Sequence, residues 1–87
     1  MIYKIEFTSR AFNDIFRLPR VIQTRLRPRI DALAHEPRPR GARRLSENAR
    51  LWRLRVGDYR IDYEIRDREL IVAVIRLGHR RDVYRGL

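Results

Sequence analysis

The chain contains no cysteine, a single lysine (Lys4) and only two histidines. Without cysteine there is no disulfide and no thiolate zinc site. His35 and His79 stand too far apart in sequence to give a metal-ligand spacing. The opening MIYKIEF holds too short an apolar run for a signal peptide, and no later stretch approaches a membrane span. A cytoplasmic protein with no cofactor is therefore expected. No glycine-rich phosphate loop, Ser-His-Asp arrangement or internal repeat can be read in the sequence. Negative charge is also scarce, with 11 acidic residues against 21 basic ones.

The 87 residues suffice for one domain, 1–87, with one modest core. A hydrophobic content of 44% marks a folded chain. The formal charge is +10, and every basic residue except Lys4 is arginine. Coding bias explains such a ratio blandly. A functional explanation is phosphate recognition, because guanidinium is planar, permanently charged and binds phosphate at two points. The net excess predicts salt-sensitive attraction to nucleic acid or to an acidic protein. Most of it lies in the first half: residues 1–45 carry 11 basic and 4 acidic residues, whereas residues 46–87 carry 10 and 7.

Ile2 to Phe7 reads as a short strand. Thr8 or Ser9 can cap the helix that follows. Ala11, Phe12, Ile15 and Phe16 fall on one face of that helix and are expected in the core. A second helix is expected from Arg20 to about His35, with Ile22, Leu26, Ile30 and Leu33 buried. Pro28 should kink or break it. The loop EPRPRGARRLSEN, 36–48, holds two prolines and a glycine and is expected to lack regular structure.

Residues 51–77 alternate with a period of two. Trp52, Leu54 and Val56 fall on one side, with Arg53 and Arg55 on the other. Tyr59, Ile61, Tyr63 and Ile65 oppose Arg60, Asp62 and Glu64. Leu70 to Leu77 is apolar on both faces except at Arg76, which fits a central strand. Turns are expected at Gly57-Asp58 and Asp67-Arg68. The fold class is thus α+β, in the order β-α-α-β-β-β, with a mainly antiparallel four-stranded sheet and a helical hairpin packed on one face. A strand order of 2-3-4-1, every pairing antiparallel, is the simplest arrangement.

The run WRLRVGDYRIDYEI, the apolar strand after it and the closing GHRRDVYR resemble the RelE-like toxins of the RelE/ParE superfamily. The resemblance covers most of the chain. It implies the toxin component of a type II toxin–antitoxin pair, a metal-free, ribosome-dependent endoribonuclease that cleaves mRNA in the ribosomal A site. It also implies a cognate antitoxin that covers the basic face. The pair would form a heterotetramer or larger complex that binds operator DNA through the antitoxin.

Carried over position by position, the resemblance makes Arg53, Arg55, Arg60, Arg80 and Tyr84 the catalytic set. Members of the family have lysine where this chain has Arg53 and Arg55. Arginine holds its proton and is a poor base, so His79 is a candidate proton acceptor, and Glu64 a weaker one. Arg38, Arg40, Arg43, Arg44 and Arg81 are candidates for RNA contact. Each has a plain structural explanation as well. Arg53, Arg55 and Arg60 can pair with Asp62 and Glu64 across strands, Arg80 and Arg81 with Asp82, Tyr84 can pack its ring on the sheet edge, and the loop arginines can be merely solvated. Two other functions fit the same fold: a ParE-like toxin that poisons DNA gyrase, and a module that only binds its antitoxin.

Overall fold

The computed structural model describes residues 2–45, 47, 50–79 and 81. The elements are β1 (Lys4–Phe7), α1 (Ser9–Arg17), α2 (Arg20–Ala32), β2 (Arg43–Arg44), β3 (Leu51–Val56), β4 (Tyr59–Arg66) and β5 (Ile71–His79). The strands form one sheet in the order β1-β5-β4-β3-β2. The alternation in 51–77 produces β3, β4 and β5 as an antiparallel meander, and β5 lies inside the sheet as its apolar run requires.

Two expectations about the sheet need correction. The order of the four longer strands is as expected, but β1 pairs with β5 in parallel. The Thr8 backbone N–H donates to Val74 O at 3.0 Å, and Asp14 reaches Leu77 at 3.0 Å. So α1 continues along β5 in the direction β1 was running. Only α2 returns, and Ala34, just past its end, accepts from the Tyr3 N–H at 2.7 Å. A single return brings the chain back to the end where β1 began, so β1, β3 and β5 point the same way. The second correction is a fifth strand in the loop expected to be irregular. Arg43 and Arg44 lie beyond Pro37, Pro39 and Gly41, so nothing removes their donors, and they pair with Arg53 and Trp52 on the open edge of β3.

A bulge in β5 matters more. Asp62 pairs with Arg76 but Tyr63 pairs with Val74, leaving Ile75 as the extra residue. One extra residue switches the side each later side chain takes. Val72 and Val74 therefore point into the core before the bulge and Leu77 after it, with exposures of 0%, 0% and 3%. Without the bulge Arg76 would face the core.

The helices cover one face, as expected. Ile22, Leu26, Ile30 and Leu33 pack on Leu54, Ile61, Tyr63, Ile65, Val72, Val74 and Leu77. Each such side chain contributes roughly 1.5–3 kcal/mol by leaving water. Thr8 caps α1, its hydroxyl accepting from Ala11 N–H at 3.1 Å and donating to Ile75 O at 3.0 Å. α2 runs as one helix through Pro28, so the break that Pro28 could have caused does not occur. The carbonyl that Pro28 leaves unbonded belongs to Thr24, and both residues are exposed, so water can take the missing bond. Phe12 and Phe16 are also misplaced by helical periodicity: they are 54% and 63% exposed, while Ala11 is buried. Among the described residues no helix is long and apolar enough to cross a membrane, which says nothing of β-barrels.

Candidate nucleic-acid interface

Register partners in an antiparallel pair share a face. Arg43 is opposite Arg53, Arg53 opposite Asp62, and Asp62 opposite Arg76. This gives a row of three arginines and one carboxylate across four strands, on the face away from the helices. The next row holds Arg55, Arg60 and Gly78. Towards the other end the same face carries Glu64, Ala73 and Glu6, then Arg66, Ile71 and Lys4. The cationic side chains thus collect at one end of the face, and β3, β4 and β5 supply most of them.

The cluster has an inner and an outer layer. Arg60, expected on a solvated strand face, is 1% exposed. Its Nη1 donates to the His79 carbonyl at 3.4 Å, and its Nε has no hydrogen-bond partner among the described residues. Burial lowers the pKa of Arg60 from its ordinary value; Asp62 opposes that shift, while Arg53 and Arg76 add to it. Asp62 accepts from Arg53 Nε at 2.6 Å and Nη2 at 3.0 Å, and lies 3.7 Å from Arg60 Nε. The cross-strand pairing foreseen for these arginines is therefore real at Arg53, whereas Arg60 meets Asp62 along its own strand, β4. Arg55 forms the outer layer: it is exposed, and among the described residues it has no ion-pair partner.

His79 does not join this cluster. It is the register partner of Tyr59, so its ring lies on the helix-covered face, edge-on to Tyr59 with centroids 5.4 Å apart. Its Nδ1 accepts the Arg81 N–H at 3.2 Å, so this nitrogen carries no proton in that contact. Only the His79 carbonyl meets Arg60. The pleat, which a motif read along the chain ignores, separates the ring from the arginines that precede it. Glu64 is occupied by Arg66. Arg80 and Tyr84 lie outside the described residues.

The loop arginines divide. Arg43 joins the row described above, and Arg44 pairs with Trp52 on β3. Arg40 and Arg81 are exposed. Arg38 is committed elsewhere: it grips Asp67 through two hydrogen bonds of 3.3 and 2.8 Å, and its guanidinium lies 5.5 Å from the Trp52 ring centre. Tyr3 donates to the same carboxylate at 2.6 Å, and the hydrogen bonds from Arg38 and Tyr3 hold the Asp67 pKa below its ordinary value.

Motif reasoning passed over three residues. Arg76 looked like an interruption of a strand, but the bulge brings it onto the cationic face. Asp14 accepts the Leu77 N–H at 3.0 Å and lies 3.8 Å from Arg76, just where β1 has ended and β5 has lost its neighbour. No sequence signal marks that contact. Asp62 was legible only as a partner for arginine.

Away from the sheet face lies an apolar groove of about 560 Å³, lined by Ile5, Phe7, Phe12, Ile15 and Phe16, with Arg20, Arg27 and Asp31 as its charged lining residues. Val21, 66% exposed, extends the apolar surface.

Two helices over one side of a five-stranded mixed sheet give the α+β fold that solved RelE toxin structures share. The RelE–antitoxin complex RelBE2 of Mycobacterium tuberculosis superposes with a TM-score of 0.80 at 29% identity, covering 92% of this chain and 100% of that one. The RelE–RelB complex of Pyrococcus horikoshii gives 0.80 at 26% identity, covering 92% and 97%. Toxin RelG of M. tuberculosis is 34% identical over 86 residues, 98% of this chain and 99% of that protein. The family described as "ParE toxin of type II toxin-antitoxin system, parDE" matches residues 5–84. The chain belongs to the RelE/ParE family of type II toxin–antitoxin toxins.

Proposed function

We propose that this toxin is a ribosome-dependent endoribonuclease that cuts mRNA in the A site and so halts translation. The observation that carries this reading is the gathering of Arg53, Arg55, Arg60 and Arg76 at one end of a single sheet face. RNA supplies its own nucleophile. The 2′-oxygen attacks the adjacent phosphorus, the 5′-oxygen leaves, and a 2′,3′-cyclic phosphate remains. The protein must orient the strand and offset the charge that grows on the phosphorane oxygens. Arg55 from the outer layer and the half-buried Arg53 beside it meet the phosphate, and Arg60 supplies a fixed positive charge behind them. Arg80 and Tyr84 complete the set by family resemblance, Tyr84 by stacking on a base or donating a proton. Because the His79 ring lies on the other side of the sheet, this reading gives it no part in proton transfer.

The partner is a cognate antitoxin. Both complexes above pair a RelE toxin with its antitoxin. A formal charge of +10 and an apolar groove whose charged lining is two arginines against one aspartate suit an acidic, amphipathic chain segment. A second reading, gyrase poisoning, is favoured by the match to the ParE description. Primer extension on mRNA programmed into 70S ribosomes separates the two when run beside a gyrase cleavage assay. Discrete A-site cuts support the ribonuclease. Gyrase-dependent DNA breaks without RNA cuts support the alternative.

A further inference from the structure

A carboxylate stands in the middle of the cationic face, where a phosphate-binding surface would do better without one. Asp62 is 9% exposed, which is too deep for an incidental surface acid. It meets Arg53 through both carboxylate oxygens, at 2.6 and 3.0 Å. Two bonds from one planar guanidinium to one carboxylate fix the plane as well as the position of the arginine. The same carboxylate lies 3.7 Å from the Nε of Arg60, the side chain that is 1% exposed and, among the described residues, lacks a hydrogen bond at that atom. Its register partner across β5 is Arg76. The charged groups that act on Arg60 are Asp62, Arg53, Arg76 and Asp14. Asp14 is held by the Leu77 N–H, so Asp62 is the carboxylate that separates Arg53 from Arg60.

We propose that Asp62 is a positioning residue: it fixes the Arg53 guanidinium in the orientation that meets the RNA phosphate and keeps Arg60 as the immobile charge behind it, without itself touching RNA. This rests on the ribonuclease reading. It has an unusual consequence, because the two effects of Asp62 on RNA oppose each other. Its negative charge weakens the general attraction of the face for a polyanion. Its hydrogen bonds hold the arginine geometry on which the chemical step depends.

The test compares wild type, Asp62→Asn and Asp62→Glu for single-turnover cleavage on programmed 70S ribosomes and for affinity towards a short single-stranded RNA at low salt. Thermal melting checks that each variant is folded. Nitrogen-15 NMR of the arginine Nε–H groups reads the order of the side chains directly. In Asp62→Asn the expected cleavage rate falls by about 10- to 100-fold, RNA affinity holds or tightens, and the slowly exchanging Arg53 Nε–H signal of the wild type is lost. Asp62→Glu keeps the charge but not the reach, so its cleavage falls while its affinity stays at the wild-type value. It serves as the variant of record if Asp62→Asn does not fold. Cleavage at the wild-type rate in either folded variant overturns the proposal. So does a loss of rate and affinity in equal proportion, or an Arg53 Nε–H signal that survives in Asp62→Asn. Absence of cuts by wild type would instead overturn the ribonuclease reading, and the NMR signals would still decide whether Asp62 orders the arginines.

Discussion

The Asp14 carboxylate of α1 accepts the backbone N–H of Leu77 at 3.0 Å, closing the part of the β5 edge that β1 is too short to cover. The Thr8 hydroxyl meets the same edge one step earlier, donating to Ile75 O. A strand edge left open beside a core residue would hold an unsatisfied donor. Asp14→Ala should therefore destabilise the fold by about 1–3 kcal/mol. Asp14→Asn, whose amide oxygen can still accept, should recover part of that loss. Urea denaturation of both variants checks this, and an unchanged midpoint in Asp14→Ala would refute the role.

Burial separates two kinds of apolar residue on the helices. Leu26 is 0% exposed and Phe16 63%. Leu26→Ala should cost about 2–5 kcal/mol through lost burial and the cavity left behind. Phe16→Ser should change stability by less than about 1 kcal/mol and make the free toxin more soluble. Melting temperatures and the concentration at which each protein aggregates give the comparison.

Pro28 sits inside α2 with its would-be acceptor, Thr24, facing solvent. Pro28→Ala restores the missing helix hydrogen bond and removes the ring's clash with the preceding turn. Stabilisation of about 1–3 kcal/mol is expected once the looser unfolded chain is counted. Calorimetry would show this as a higher Tm, and a lower one would mean that the packing requires the backbone geometry proline imposes.

Burial pushes the Tyr63 phenol up to about 12, and its O–H donates to Pro37 O at 2.7 Å. A raised pKa means that the folded state keeps a proton the unfolded chain gives up. The stabilisation is complete below about pH 10 and is lost as pH climbs towards about 12. Denaturation midpoints should fall across that window. Tyr63→Phe should flatten the fall, at a cost of about 1–2 kcal/mol at neutral pH for the lost hydrogen bond. A fall of undiminished steepness in Tyr63→Phe would assign the alkaline loss to other groups.

The meander and the buried stripe of α2 were legible because each rests on a period: two for strands, 3.6 for helices. Where several solutions satisfy the period, reading the sequence went astray. Phe12 and Phe16 share a face with Ala11 and Ile15, but α1 lies along the upper edge of β5 and buries only the nearer part of that face. The β5 bulge resets the phase after Ile75, which local pattern could not foretell, and it alone brings Arg76 to the cationic face. The parallel pairing of β1 depended on the direction of α1, a tertiary matter. Arg53, Arg55 and Arg60 were found through family resemblance and alternation together. Those signals did not reveal that Arg60 is internal, nor that the His79 ring lies across the sheet from it.

The central claim is that the arginine end of the sheet face cuts RNA. It is tested most directly by single-turnover cleavage of mRNA in the A site of programmed 70S ribosomes, comparing wild type with Arg53→Ala, Arg55→Ala and Lys4→Ala. Lys4 is a cation on the same face at the opposite end, so it controls for charge alone. The account predicts losses of about 100- to 1,000-fold for Arg53→Ala and Arg55→Ala, as for removal of a donor to a developing oxyanion, and no more than a few-fold change for Lys4→Ala. Equal losses in all three variants, or no cutting by the folded wild-type protein freed of antitoxin, would contradict it.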